Sequence, residues 1–222
     1  MRHRQLELNI DGYPRLNMLQ VTELECVRGE RKLFSHLSFS LAAGTLLHVQ
    51  GANGSGKTTL LKIIAGLMQP QVGTVLWRNE NTRLIREDFN RELMYLGHVN
   101  GIKADLTAIE NLRIAAILSG IKIPESAIWQ ALNKIGLAGV EDLPIKMLSQ
   151  GQKRRVALAQ LLIKQVPLWI LDEPFVGLDS VAIDLVLRII AAHLAKNGLV
   201  ILTTHQDLFL APGVVQYLKL GK

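Results

Sequence analysis

The chain holds one cysteine, Cys26, so no disulfide can close within it, and a reducing compartment suits it. Cys26 sits in an apolar–polar alternation, which points to a buried side chain and not a reactive thiol. No apolar run reaches the roughly 18–20 residues that a membrane-spanning helix needs. The opening Met1-Arg2-His3-Arg4-Gln5 leads into no apolar signal core, so the expectation is a soluble chain that is not exported. Internal repeats and low-complexity tracts are also missing. With 222 residues, 49% hydrophobic and 20% charged, there is material for one domain with a well-buried core. A formal charge of +6 admits nucleic acid, an anionic membrane surface or a bound nucleotide, and does not choose among them.

The stretch that organises the rest is Gly51-Ala52-Asn53-Gly54-Ser55-Gly56-Lys57-Thr58-Thr59, which fits G-x-x-x-x-G-K-[ST]. Glycines let backbone N–H groups turn inward around phosphates, and such a loop works only between a strand and a helix. Both flanks comply: Thr45–Gln50 is a short apolar strand pattern, and Leu60, Leu61, Ile63, Ile64 and Leu67 recur at helical spacing. Lys57 then neutralises phosphate charge, Thr58 offers its hydroxyl to Mg²⁺, and the helix N-terminus adds its dipole.

Residues 1–17 show no sustained periodicity and are expected to form a flexible extension. Leu19–Val27 and Leu33–Leu41 read as strands, as do Thr74–Trp77 and Leu93–Val99. Thr107 with Glu110 forms a capping box ahead of a helix, and Pro124–Ile135 reads as another helix, closed by Gly136. Ser149 with Gln152 is a second capping box, with Val156, Ala159, Leu162 and Ile163 as an apolar face behind it. Pro167–Leu171 and Leu199–Thr203 are continuous apolar runs, the mark of strands buried on both faces, and Ile183–Lys196 is an amphipathic helix. Alternating strand and helix predict a largely parallel sheet covered by helices.

The run 167–171 ends in Asp172-Glu173. Beside a phosphate loop, Asp172 is suited to hold Mg²⁺ and Glu173 to polarise the attacking water; strand-end acids alone would also serve as helix caps. The charge run Lys153-Arg154-Arg155 reads as a solvated helix face or a partner contact and not a nucleic-acid patch. His48 and His193 read as packed or solvated, since neither belongs to a Cys-x-x-Cys-His attachment.

Leu148-Ser149-Gln150-Gly151-Gln152, just before the acid-ended strand, resembles the LSxGQ signature of ATP-binding cassette (ABC) ATPases. Phe175-Val176-Gly177-Leu178-Asp179 resembles the D-loop of that family, with Asp179 in its acidic position, and His205 is similar to its switch histidine. The resemblance covers about residues 18–219. It implies an α/β P-loop NTPase fold in one domain, residues 18–222: a RecA-like parallel-sheet core, an antiparallel β subdomain and a helical lobe at about 101–147. It also implies ATP and Mg²⁺ as ligands, His205 on the γ-phosphate, and a homodimer in which Ser149 and Gly151 serve a nucleotide bound to the other copy. Two positions depart from the family pattern. His98 stands where most members carry glutamine, bringing a titratable ring beside the metal site. Near the place of the usual adenine-stacking aromatic stands Arg28, whose planar guanidinium can stack instead.

Leu96-Gly97-His98, Gly101-Ile102-Lys103 and Leu106–Leu112 resemble the ATPase subunits of cytochrome c maturation haem exporters, as do 33–39, 168–175 and 201–206. That likeness implies CcmB-like and CcmC-like membrane partners, a peripheral place on the cytoplasmic face of a bacterial inner membrane, and no nucleic-acid partner. An ATPase of another solute or lipid transporter, or a soluble nucleic-acid-associated cassette protein, stays open at this point.

Overall fold

The computed structural model describes residues 17–208, 210–211 and 213–221. The expected extension, residues 1–17, lies outside them except for Asn17, which opens β1 (Asn17–Arg28). Two sheets form. β2 (Arg31–Ala42), β4 (Val72–Trp77) and the short β5 (Glu80–Asn81) join β1 in an antiparallel sheet of order β2-β1-β4-β5. β3 (Leu46–Gln50), β6 (Leu93–Leu96), β7 (Leu168–Asp172), β8 (Leu199–Thr203) and β9 (Val215–Lys219) form the other, in the order β6-β7-β8-β3-β9, every pair parallel.

The pleat sends alternate residues to opposite faces of the parallel sheet. Leu47, Val49, Leu168, Ile170, Leu199 and Ile201 pack into one core with α1 (Lys57–Ile64) and the antiparallel sheet. Leu46, Trp169, Leu171, Val200 and Leu202 pack into the other, beneath α5 (Gln150–Ile163) and α6 (Ser180–Ala195). α3 (Ala108–Leu118) and α4 (Glu125–Lys134) join this second core through Leu112, Ile128 and Leu132. Both capping boxes close: Glu110 N donates to Thr107 Oγ1 at 3.1 Å and Thr107 N to Glu110 Oε2 at 2.8 Å, and the Ser149–Gln152 pair repeats the pattern at 3.1 and 2.8 Å.

Several elements differ from their sequence patterns. β6 ends at Leu96 and not Val99, because the chain leaves the sheet at Gly97 and Val99 stands 81% exposed. α6 begins at Ser180, ahead of the apolar pattern, because Asp179 caps it through Ala182 N at 2.8 Å. β5, α2 (Arg86–Glu92) and β9 carry weak patterns: α2 presents Phe89 as its one buried side chain, and β9 is an edge strand of partly exposed residues.

Candidate nucleotide site

Parallel strands deliver their C-terminal ends to one edge of a sheet, where α/β proteins place their ligands. Here β3 ends at the phosphate loop, β6 at Gly97-His98, β7 at Asp172-Glu173 and β8 at Thr203-Thr204-His205. One topological fact thus gathers four motifs that are far apart in the chain.

In the phosphate loop, Gly51 and Gly56 have φ of 151° and 100°. A Cβ on Gly51 would lie 2.5 Å from Ser55 Oγ and 2.6 Å from the Leu220 carbonyl, while one on Gly56 would crowd Leu33 and Phe34 of β2 at 3.2–3.3 Å. The loop is therefore wedged between β9 and the antiparallel sheet. Lys57 Nζ folds back to donate to Gly51 O at 2.7 Å and Ala52 O at 3.3 Å, which brings the ammonium over the loop. α1 has no side-chain cap, so the N–H groups of its first turn stay available to an anion. Ala52, Asn53 and Gly54 line the exposed rim, whereas Thr59 is buried in the core and Ser55 Oγ is buried without a partner among the described residues.

Asp172 shares the parity of Leu168 and Ile170, so its side chain projects to the α1 face, 2% exposed. There its Oδ2 accepts from Thr58 Oγ1 at 2.7 Å and its Oδ1 from Thr203 Oγ1 at 2.7 Å. Glu173 has φ 50°, a left-handed conformation that an L-residue keeps only where its surroundings hold it. Its N–H is held by Thr203, through Oγ1 at 2.9 Å and O at 3.2 Å, and its Oε1 lies 3.5 Å from His205 Nε2. His98 lines a cavity of about 460 Å³ together with Thr58, Lys62, Tyr95, Asn100 and Asp172. Burial, and then the nearby Asp172 carboxylate, push the Tyr95 phenol up to about 12.

The signature residues lie on the opposite face of the sheet. Leu148 is buried, and Ser149 and Gln152 close the cap of α5, with Gln150 exposed beside it. Gly151 backs onto the loop after β7, where an added Cβ would lie 2.7 Å from the Gly177 carbonyl. Among the described residues no hydrogen bond or ion pair joins 148–152 to 51–59. Arg28 ends β1 with its side chain exposed.

The charge run on α5 is not a solvated face at Arg154. This side chain is 4% exposed and reaches under the C-terminal edge of the parallel sheet, because it heads the stripe Arg154, Ala157, Leu158, Leu161, all buried. Burial pushes its guanidinium below its ordinary value, and Asp172 and Glu173 push it back. Arg155 donates to Gly136 O at 2.9 Å. Arg154, Thr203 and Tyr95 were missed in the sequence; the helical stripe was the signal for the first, and strand parity with Ile201 and Leu93 for the others. Both tempting histidines are packed: His48 Nε2 meets Thr204 O at 3.1 Å, and His193 stacks on Trp169 with centroids 3.7 Å apart.

A profile of the ABC transporter family matches residues 34–176. The chain is 50% identical over 204 residues to the cytochrome c biogenesis ATP-binding export protein CcmA of Dechloromonas aromatica (strain RCB), covering 92% of this chain and 100% of that one. It is 51% identical over 206 residues to the protein of the same name from Nitrosomonas europaea, covering 93% and 97%. In fold it is similar to a dimeric ATP-binding cassette solved in a post-hydrolysis state with ADP and Pi, with a TM-score of 0.78, 21% identity and coverage of 92% and 97%. The chain belongs to the ABC transporter family and, within it, to the cytochrome c biogenesis ATP-binding export proteins.

Proposed function

We propose that the chain is the ATP-hydrolysing subunit of a membrane complex in cytochrome c maturation, coupling hydrolysis to haem export or to release of a haem-loaded chaperone. The observation that carries this reading is identity of about one half along nearly the whole of both chains. Among the described residues no helix is long and apolar enough to cross a membrane. CcmB-like and CcmC-like partners would supply the span, with this chain peripheral on the cytoplasmic face of the inner membrane.

In this reading the backbone N–H groups of residues 51–59 and Lys57 hold the phosphates of ATP. Thr58 and Asp172 present two oxygens side by side, a donor set that suits Mg²⁺, which takes one or two carboxylate or hydroxyl ligands and completes its shell with phosphate and water. Bound there, the ion would draw charge from the phosphate oxygens. Glu173 takes a proton from the water that attacks the γ-phosphorus as the bond to the β–γ bridging oxygen breaks, giving ADP and phosphate. His205, next to Glu173, donates to the γ-phosphate, and His98 orders water from the β6 side. Arg28 stacks on the base. Asp179, which caps α6, fixes the D-loop at the meeting of two copies, and the α5 terminus at Ser149 and Gly151 reaches the γ-phosphate held by the second copy.

The test is mass spectrometry of proteins that co-purify with a Glu173→Gln variant from gently solubilised membranes, with ATP and Mg²⁺ present. Recovery of CcmB-like and CcmC-like proteins is expected. Recovery of an unrelated permease instead would keep the ATPase chemistry and discard the cytochrome pathway.

A further inference from the structure

Arg154 carries five N–H donors, the full capacity of a guanidinium, and all five are engaged. Nε donates to Pro174 O at 3.1 Å, Nη2 to Asp172 O at 3.0 Å and Glu173 O at 2.8 Å, and Nη1 to Gly97 O at 3.0 Å and Asn100 Oδ1 at 2.9 Å. The acceptors belong to two short segments, at the C-terminal ends of β7 and β6. One is the turn 172–174, with the two acids and the left-handed Glu173; the other is the loop 97–100, with His98 and the exposed Val99.

A cation buried to this degree is tolerable only while its hydrogen bonds stay made. Because the guanidinium is planar and rigid, shifting one loop either breaks bonds or drags the other. The anchoring helix α5 is the one whose N-terminus holds Ser149 and Gly151, so the fork ties three motifs through one side chain. The carbonyls of Asp172, Glu173 and Pro174 are those of the very turn whose backbone leaves the favoured region.

We propose that Arg154 is the positioning residue that sets the Glu173 turn for hydrolysis and makes that turn move as one with the loop 97–100. The proposal rests on the reading of Glu173 as the base. It predicts a loss in turnover that is not a loss in nucleotide binding, since the fork touches none of residues 51–59 and meets Asp172 only at its main-chain oxygen.

The experiment compares the full chain with Arg154→Lys, which keeps the charge and loses the fork, by single-turnover ATP hydrolysis, nucleotide affinity and amide hydrogen exchange. Expected are an affinity within about twofold of the parent and a hydrolysis rate lower by about 10²-fold, the scale of a small misplacement of a catalytic group. Exchange is expected to quicken together in 97–101 and 173–177, and to hold steady in 151–163. An unchanged rate, loosening of one loop alone, or quickened exchange throughout the chain with weakened binding would each overturn the proposal. Should Arg154→Lys fail to fold, Asn100→Ala removes a single acceptor on the far loop. It is expected to loosen 173–177, which Asn100 reaches through Arg154, and an unaltered turn would overturn the link. A Glu173→Gln control hydrolysing at the parental rate would remove the base assignment while leaving the exchange result standing.

Discussion

At the scale of single residues, the C-terminal edge of the parallel sheet is built from short polar contacts in which one atom can serve two partners. The Thr203 hydroxyl, wholly buried, donates to Asp172 and accepts from the Glu173 N–H, so one oxygen sets both acids. Thr203→Val keeps the volume and deletes that oxygen. We expect about 1–3 kcal/mol less stability in urea unfolding, the scale of leaving buried polar groups unpaired, and a lower kcat with it. Stability and turnover both equal to those of the parent would show that the hydroxyl orders nothing. Glu173→Gln is a different kind of change, keeping shape and removing the basic oxygen. ATP affinity measured by equilibrium dialysis is expected to hold, and kcat to drop by roughly 10²–10⁴-fold, the range for loss of a general base. Full turnover in that variant would assign the proton to another group.

At the scale of elements, legibility in the sequence followed burial. β7 and β8 are buried at every position, and their continuous apolar runs were plain to read. In the same sheet β9 is an edge strand half open to solvent, and its pairing with β3 is a property of the tertiary fold that no local pattern records. α2 has a single buried anchor, Phe89, too little for periodicity to register. The chemistry of the nucleotide loop and the strand-end acids was legible because it depends on residue type at fixed spacing. Arg154 was not, because a cation in a run of three cations looks solvated until the loops that satisfy it are in place. The α6–β7 contact gives an element-scale expectation. Burial against Trp169, and then the Lys196 charge, push His193 below the ordinary histidine range, while contacts to Pro167 and Leu199 oppose the shift. The folded state therefore resists a proton that the unfolded chain accepts. Its stability is complete above the unfolded pKa and declines as pH falls below about 6.5. A His193→Phe variant, stacked on Trp169 without a titrating group, is expected to lose less in melting temperature between about pH 7 and 5 than the parent. Parallel curves for the two would mean that His193 contributes no pH dependence.

At the scale of the whole molecule, the sheet itself separates the N-terminus of α1 from that of α5. α1 and the phosphate loop pack on one face and α5 with the signature on the other, each fixed by its own hydrophobic core. A layer of side chains on each side of a sheet leaves no route for α5 to swing across within one chain. On the proposed reading, in which the α5 terminus completes the nucleotide site, a second chain related by a twofold axis must supply that terminus. Lys57→Ala disables the loop and leaves the signature, while Ser149→Arg blocks the signature and leaves the loop. Alone, each variant is expected to be inactive. Mixed in equal amounts and allowed to exchange, half the dimers by random pairing carry one intact site of two, so activity should return to about a quarter of the parental value. Recovery can arise only if the signature acts across the dimer, since the mixture holds no chain with both motifs whole. If the mixture stays as inactive as its parts while size-exclusion shows that the chains have exchanged, the signature serves its own chain and the sheet is no barrier.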